Sequence, residues 1–397
     1  MKDEKKAPKL RFKGFTDDWE QCKLKNKAEI VRGASPRPIS NPKWFDDNSN
    51  VGWLRISDVT EQKGRIHHLS QRISKAGQSK TRVITEPHLL LSIAATVGSP
   101  VINYVNTGVH DGFLIFLNPT FDKEFMFQWL LMFKPYWNKY GQPGSQVNLN
   151  SDIVGNQSVA FPTTSEQERI GSFFRKLDRT ITLHEEKKRQ LERLKSALLQ
   201  KMFADKSGYP PVRFEGFSDK WEQVKYGEIF QRRSKMGVST PTLPSVEYDD
   251  INPGMGTLNK EPKSKGISKR GIYFNPGDVL FGKLRPYLKN WLFACFEGVA
   301  VGDFWVLTSS KIDHGFTYSL IQTPGFQYIA NLSSGSKMPR SDWGLVSNAR
   351  TFIPINHLEQ ERISSVLFGL DHAITLYEHK LEILNKIKSF LLQNMFI

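Results

Sequence analysis

The chain is written twice, and this limits its possible folds more than any other feature. Residues 8–24 read PKLRFKGFTDDWEQCKL, and residues 210–226 read PPVRFEGFSDKWEQVKY. Pro8, Arg11, Phe12, Gly14, Phe15, Asp17, Trp19, Glu20, Gln21 and Lys23 thus recur as Pro210, Arg213, Phe214, Gly216, Phe217, Asp219, Trp221, Glu222, Gln223 and Lys225. A second pair follows. After Phe161-Pro162 comes SEQERIGSFFRKLDRTITLHEEKKRQLERLKSALLQKMF, residues 165–203; after Ile353-Pro354 comes LEQERISSVLFGLDHAITLYEHKLEILNKIKSFLLQNMF, residues 358–396. The order is entry motif, divergent region, helix, run through twice. The divergent regions, roughly 20–160 and 222–352, share only a skeleton. Asp111-Gly112-Phe113 corresponds to Gly302-Asp303-Phe304, and Gly144-Ser145-Gln146 with Ser151-Asp152 to Gly335-Ser336-Lys337 with Ser341-Asp342. A common frame with different content fits two binding modules of different specificity; drift after duplication is the alternative.

The repeated tails carry helical spacing. Ile170, Leu177, His184, Leu191 and Leu198 recur every seven residues, beside Phe174, Ile181, Lys188, Lys195 and Met202. The second tail repeats this with Ile363, Leu370, Tyr377, Leu384 and Leu391, beside Leu367, Ile374, Leu381, Lys388 and Met395. Such a/d spacing predicts a coiled-coil seam, built on Ile170, Leu177, Ile181, Leu191, Leu198, Ile363, Leu370, Ile374, Leu384 and Leu391. Gly171 and Gly369 are local interruptions, and Pro162 and Pro354 stand upstream of the helix starts. A helix of about 40 residues spans about 60 Å. If the two pair, the connectivity makes them antiparallel. The fold expected is α+β: two globular domains, each followed by a long helix, with pseudo-two-fold symmetry. The boundaries expected are 1–160 and 205–352 for the domains, 161–204 and 353–397 for the helices. Lys188, Lys195 and Lys388 in the seam are expected to leave part of it facing a partner. An oligomerisation bundle without a spacer role is the other reading of these helices.

Charge points to a polyanion. With 55 Lys+Arg against 40 Asp+Glu the net charge is +15, and cations that neutralise phosphates release condensed counterions. The polar start Met1-Lys2-Asp3-Glu4-Lys5-Lys6 has no signal-peptide core, and no apolar run of membrane-spanning length occurs. Cys22 and Cys295 build neither a disulfide framework nor a zinc site. A cytoplasmic location is expected.

The sequence carries no motif of a catalytic site. There is no P-loop and no glycine-rich cofactor loop. Asn275-Pro276-Gly277-Asp278 lacks the second proline and aromatic of an adenine-methylation motif and reads as a turn. Glu61-Gln62-Lys63 and Glu261-Pro262-Lys263 have nuclease-like spacing, which arises freely in so charged a chain, and His67-His68 lacks a third metal ligand. No catalytic residue and no metal ligand is assigned.

The candidate DNA contacts lie in the divergent regions. In the first they are Arg32, Arg37, Arg55, Lys75, Lys80 and Arg82, with Ser145, Gln146 and Asn148 in a loop whose amides suit adenine edges. In the second they are Arg232, Arg233, Lys235, Lys265, Lys269, Arg270, Lys283 and Arg285, with Ser336, Lys337 and Arg340 in the matching loop. Some should touch phosphate, which positions without specifying; a few should read bases.

The doubled P-x-x-R-F-x-G-F…W entry, the E-Q-x-R-I helix opening and the L-L-Q-x-M-F closing resemble the specificity subunit of a type I restriction-modification system, over essentially the whole chain. The resemblance implies a non-catalytic subunit that recognises an asymmetric bipartite duplex DNA target. It implies two modification (methyltransferase) subunits that use S-adenosylmethionine to methylate adenine at N6, and two restriction subunits that translocate and cleave with ATP and Mg. It implies no cofactor on this chain itself. A stand-alone DNA-binding regulator and a coiled-coil scaffold without DNA binding are the alternatives.

Overall fold

A computed structural model describes residues 7–93, 95–140, 149–261, 268–332 and 338–397. Helices and mainly antiparallel sheets divide into two compact units, Met1–Leu183 with Leu381–Ile397, and His184–Lys380. Two long helices, Thr164–Lys201 and His357–Asn394, each contribute to both units.

In the first unit the entry motif is consumed in clamping the start of the long helix. Arg11 donates two hydrogen bonds, 2.6 and 2.7 Å, to the carboxylate of Glu166, which is completely buried. Glu20–Lys23 pairs antiparallel with Ser158–Phe161, so the end of the entry motif and the lead into the helix form one ribbon. Gln167 donates to the Pro162 carbonyl (2.9 Å), and its Oε1 accepts from the Asp122 amide (3.0 Å). Asp122 in turn caps the helix Lys123–Phe133 by accepting from the Phe125 amide. The main sheet runs in the order Glu29–Arg32, Phe113–Leu117, Leu89–Ser92, Pro100–Asn103, Arg65–Ile66, and only the last pair is parallel. A smaller sheet holds Gly52–Trp53, Thr107–Val109 and Arg82–Ile84. The Leu-Leu-Leu-Ser strand is buried on both faces. Leu89 and Leu91 join Trp19, Phe125, Trp129 and Phe174 in one core, while Leu90 joins Val101 and Ile115 in another. Met395 and Phe396 close the first of these cores, and Leu10 donates its amide to the Asn394 carbonyl at 2.8 Å. A buried Phe of this kind contributes roughly 1.5–3 kcal/mol.

The second unit repeats the plan with its own residues. Arg213 forks onto Glu359 (2.7 and 2.9 Å), and Glu222–Lys225 pairs with Arg350–Ile353. Gln360 donates to the Pro354 carbonyl (2.8 Å) and accepts from the Asp313 amide (2.8 Å), and Asp313 caps His314–Ile321. One sheet is ordered Gln231–Arg232, Phe304–Thr308, Val279–Gly282, Trp291–Phe293; the other is Met236–Val238, Arg270–Phe274, Gly298–Ala300, Ser245–Val246. Met202 and Phe203 enter the core beside Trp221 and Phe316, and Val212 donates its amide to the Lys201 carbonyl at 2.9 Å. Asn275-Pro276-Gly277-Asp278 is a turn between two strands, with Gly277 at φ +87°.

The seam lysines require a correction. Instead of facing a partner, Lys188 donates to Glu378 (3.1 Å), Lys195 pairs with Asp371, and Lys388 pairs with Asp178 (2.6 Å). Each meets an acid on the other long helix within its own unit. Heptad spacing shows that a lysine falls in the seam, but not which side chain faces it. A carboxylate there offsets the cost of withdrawing the ammonium from water.

Candidate nucleic-acid interface

In the first unit, basic side chains converge on Asp111, in the loop between Thr107–Val109 and Phe113–Leu117. Its carboxylate accepts from Ser35 Oγ and from the exposed Arg37 guanidinium, both at 2.6 Å. Arg32 donates to the Asp111 backbone carbonyl (2.6 Å), and Arg82 donates to the Arg32 carbonyl (2.8 Å). The hydrogen bond from Ser35 holds the Asp111 carboxyl below its usual range, with Arg37 and Arg32 adding to the effect. Beneath it, burial lowers the pKa of the His110 imidazole. The close approach depends on Gly33, where a Cβ would lie 2.1 Å from the His110 carbonyl oxygen. The carboxylate thus orders Arg37, while Arg32 and Arg82 are held through backbone carbonyls, and the Arg37 and Arg82 heads stay in solvent.

In the second unit Asp303 precedes the corresponding strand and plays the corresponding part. It takes Arg340 (3.1 Å) and Lys283 (3.6 Å), while its backbone carbonyl accepts from Tyr248 Oη. The Tyr248 hydroxyl also accepts from the Leu284 amide (3.2 Å), and burial pushes its pKa up to about 12. Arg285, in a left-handed conformation at φ +49°, donates its amide to the Pro339 carbonyl (2.8 Å), and Ser341 donates to the Lys283 carbonyl (2.8 Å). Residues 338–341 and 283–285 are thereby stapled side by side. Nearby lies an open cleft lined by Lys225, Arg232, Trp343 and Asn348, with the Arg232 guanidinium 4.5 Å from the Trp343 ring centre.

Residues 16–193 match the family model described as the type I restriction modification DNA specificity domain. That match takes in the first divergent region and most of the first long helix, and it makes the chain similar to type I restriction-modification specificity subunits. The type I restriction enzyme MjaVIII specificity subunit of Methanocaldococcus jannaschii is 23% identical over 207 residues. That match takes in 48% of this chain and 46% of the relative, so it spans about half of the relative's length. The crystal structure of the type I restriction-modification S subunit from M. genitalium shares the fold, with a TM-score of 0.64 at 13% identity over 98% of this chain and 99% of that one. A chain from a study of complex assembly and conformational transition of the type I R-M system gives 0.50 at 16% identity, over 95% and 97%.

The other predicted contacts are dispersed. Arg55 binds Asp58 (3.0 Å) and Ser70 at the start of Ile56–Glu61. Arg233 forks onto the buried Asp278, and Lys269 holds Glu247 at 2.7 Å, so both heads have acid partners. Lys75, Lys80, Lys235 and Arg270 are exposed. Ser145, Gln146, Asn148, Lys265, Ser336 and Lys337 lie outside the described residues. What the sequence reading missed is the role of Asp111 and Asp303. The Asp111-Gly112-Phe113 and Asp303-Phe304 skeleton stands in the sequence, but nothing there marks an acid in a basic region as an organiser of cations. Among the described residues no group of three or more His, Cys, Asp or Glu could hold a metal ion. No helix there is long and apolar enough to cross a membrane.

Proposed function

We propose that this chain is a type I specificity subunit that reads an asymmetric two-part duplex DNA target, one half-site per unit, and leaves catalysis to its partners. The carrying observation is a single frame built twice with unlike cationic edges, Arg32, Arg37 and Arg82 around Asp111 against Lys283 and Arg340 around Asp303. Exposed guanidinium and ammonium groups neutralise phosphates and, where bidentate geometry allows, read base edges. Ser145, Gln146, Asn148, Ser336 and Lys337 are proposed as further readers on sequence grounds. The partners proposed are two adenine-N6 methyltransferase subunits, which bring S-adenosylmethionine, and two restriction subunits, which bring ATP and Mg.

The long helices act in this reading as an antiparallel coiled-coil spacer. Support comes from the contacts inside the second unit: moving from Lys188 to Lys195 on one helix moves the partner back from Glu378 to Asp371 on the other.

Methylome sequencing of the native host with and without the gene tests the reading. Deletion is expected to abolish one two-part adenine-methylation motif; an unchanged methylome refutes it. Arg82→Ala is expected to weaken binding of duplexes of every sequence alike and to flatten the log-log salt slope by about 0.9, as loss of one phosphate contact should.

A further inference from the structure

The same carboxylate position does the same job in both units. In the first, Asp178 on the long helix Thr164–Lys201 receives Lys388 from the other long helix (2.6 Å). It also receives Gln128 of the helix Lys123–Phe133 (2.8 Å) and Arg65 of the sheet (3.0 Å). In the second, Asp371 on His357–Asn394 receives Lys195 from the other long helix. Lys195, which is buried, also donates to Gln322 (2.6 Å), the residue that ends His314–Ile321. The repeat aligns Asp178 with Asp371 and Lys195 with Lys388. At each site an ion pair between the long helices is joined by an amide of the globular part, which donates to Asp178 in the first unit and accepts from Lys195 in the second; Asp178 is also paired with Arg65.

Apolar seam residues tolerate sliding, since one Leu replaces another at the next turn. A buried charge does not, because any other register leaves it without its counter-ion. We propose that Asp178 and Asp371, with Lys388 and Lys195, are spacing determinants: each pair fixes the lengthwise position of the helices against the domain of its own unit, and so sharpens the permitted gap between half-sites. A slip of one helical turn, about 5.4 Å, exceeds one base-pair step of about 3.4 Å, so even a small loss of register is legible in DNA. This role rests on the two-part reading proposed above.

The test uses the full chain in its native host, with methylated motifs mapped at base resolution and thermal melting of each purified variant to confirm folding. Lys195→Met with Asp371→Leu removes both charges at once, a replacement that buried ion pairs usually tolerate. Both half-sites should be kept, while sites with gaps one or two base pairs from the parental length should rise at least about tenfold. If this double variant does not fold, Lys195→Gln with Asp371→Asn takes its place. The exchange Lys195→Asp with Asp371→Lys should restore a single gap, because the Gln322 amide can turn over and donate to the new carboxylate. A folded neutral pair with an unblurred gap, or a folded exchange that stays blurred, overturns the role. The wild-type and deletion strains judge the two-part reading separately: if deletion leaves the methylome intact, that reading fails, whatever the variants do.

Discussion

The two units agree where they are buried and differ where they are exposed. Arg11 on Glu166 and Arg213 on Glu359 have nearly the same geometry, and so do the Gln167 and Gln360 bridges. At the outer edge the likeness ends: Asp111 collects Ser35 and Arg37, whereas Asp303 collects Lys283 and Arg340. Magnitudes explain the contrast. Breaking a buried ion pair strands a charge and costs roughly 3–5 kcal/mol, while an exposed pair is worth about 0–1 kcal/mol. The frame therefore tolerates little change, and the edge can be rewritten at small cost to folding. That is the division of labour the proposed two readers of different sequences would require.

The comparison can be broken most directly at the clamps. Glu166→Ala and Glu359→Ala should each destabilise the unit concerned by about 3–5 kcal/mol, followed by thermal or denaturant unfolding. A loss under about 1 kcal/mol in either would show that the clamp is not what makes the frames alike. A smaller contrast lies in the helix glycines. At Gly171 a Cβ would stand 2.4 Å from Asp122 Oδ1 and 2.8 Å from the Phe125 amide nitrogen, whereas at exposed Gly369 it meets nothing within 4 Å. Gly171→Ala should cost about 1–3 kcal/mol, and Gly369→Ala should stabilise by about 0.5–1 kcal/mol. Equal effects of one sign would contradict this account. The smallest effect separates the two tryptophans. Trp221 Nε1 donates to Glu359 (3.3 Å), whereas buried Trp19 Nε1 has no acceptor among the described residues. Trp221→Phe should therefore lose about 1 kcal/mol more than Trp19→Phe in the same unfolding measurement.

The helices were legible because their apolar residues recur every seven positions and a proline stands before each start. The clamps were half-legible. The recurrence of Arg11, Trp19 and Glu166 marked them as important, but nothing in the sequence said that they meet one another instead of a ligand. The edges were least legible. Arg233 and Arg340 look alike in composition, yet one is tied to buried Asp278 and the other lies exposed beside Asp303.

By itself, the sequence determined that one plan is executed twice, with two long helices and two unlike inserts, because repetition and period need only local order along the chain. Tertiary structure alone decided which acid faces each seam lysine, which arginines remain exposed, and that Asp111 and Asp303 organise the edges. Those outcomes depend on side chains distant in sequence arriving within about 3 Å of one another, and charge interactions at that range are set by spatial neighbours, not by neighbours in the chain.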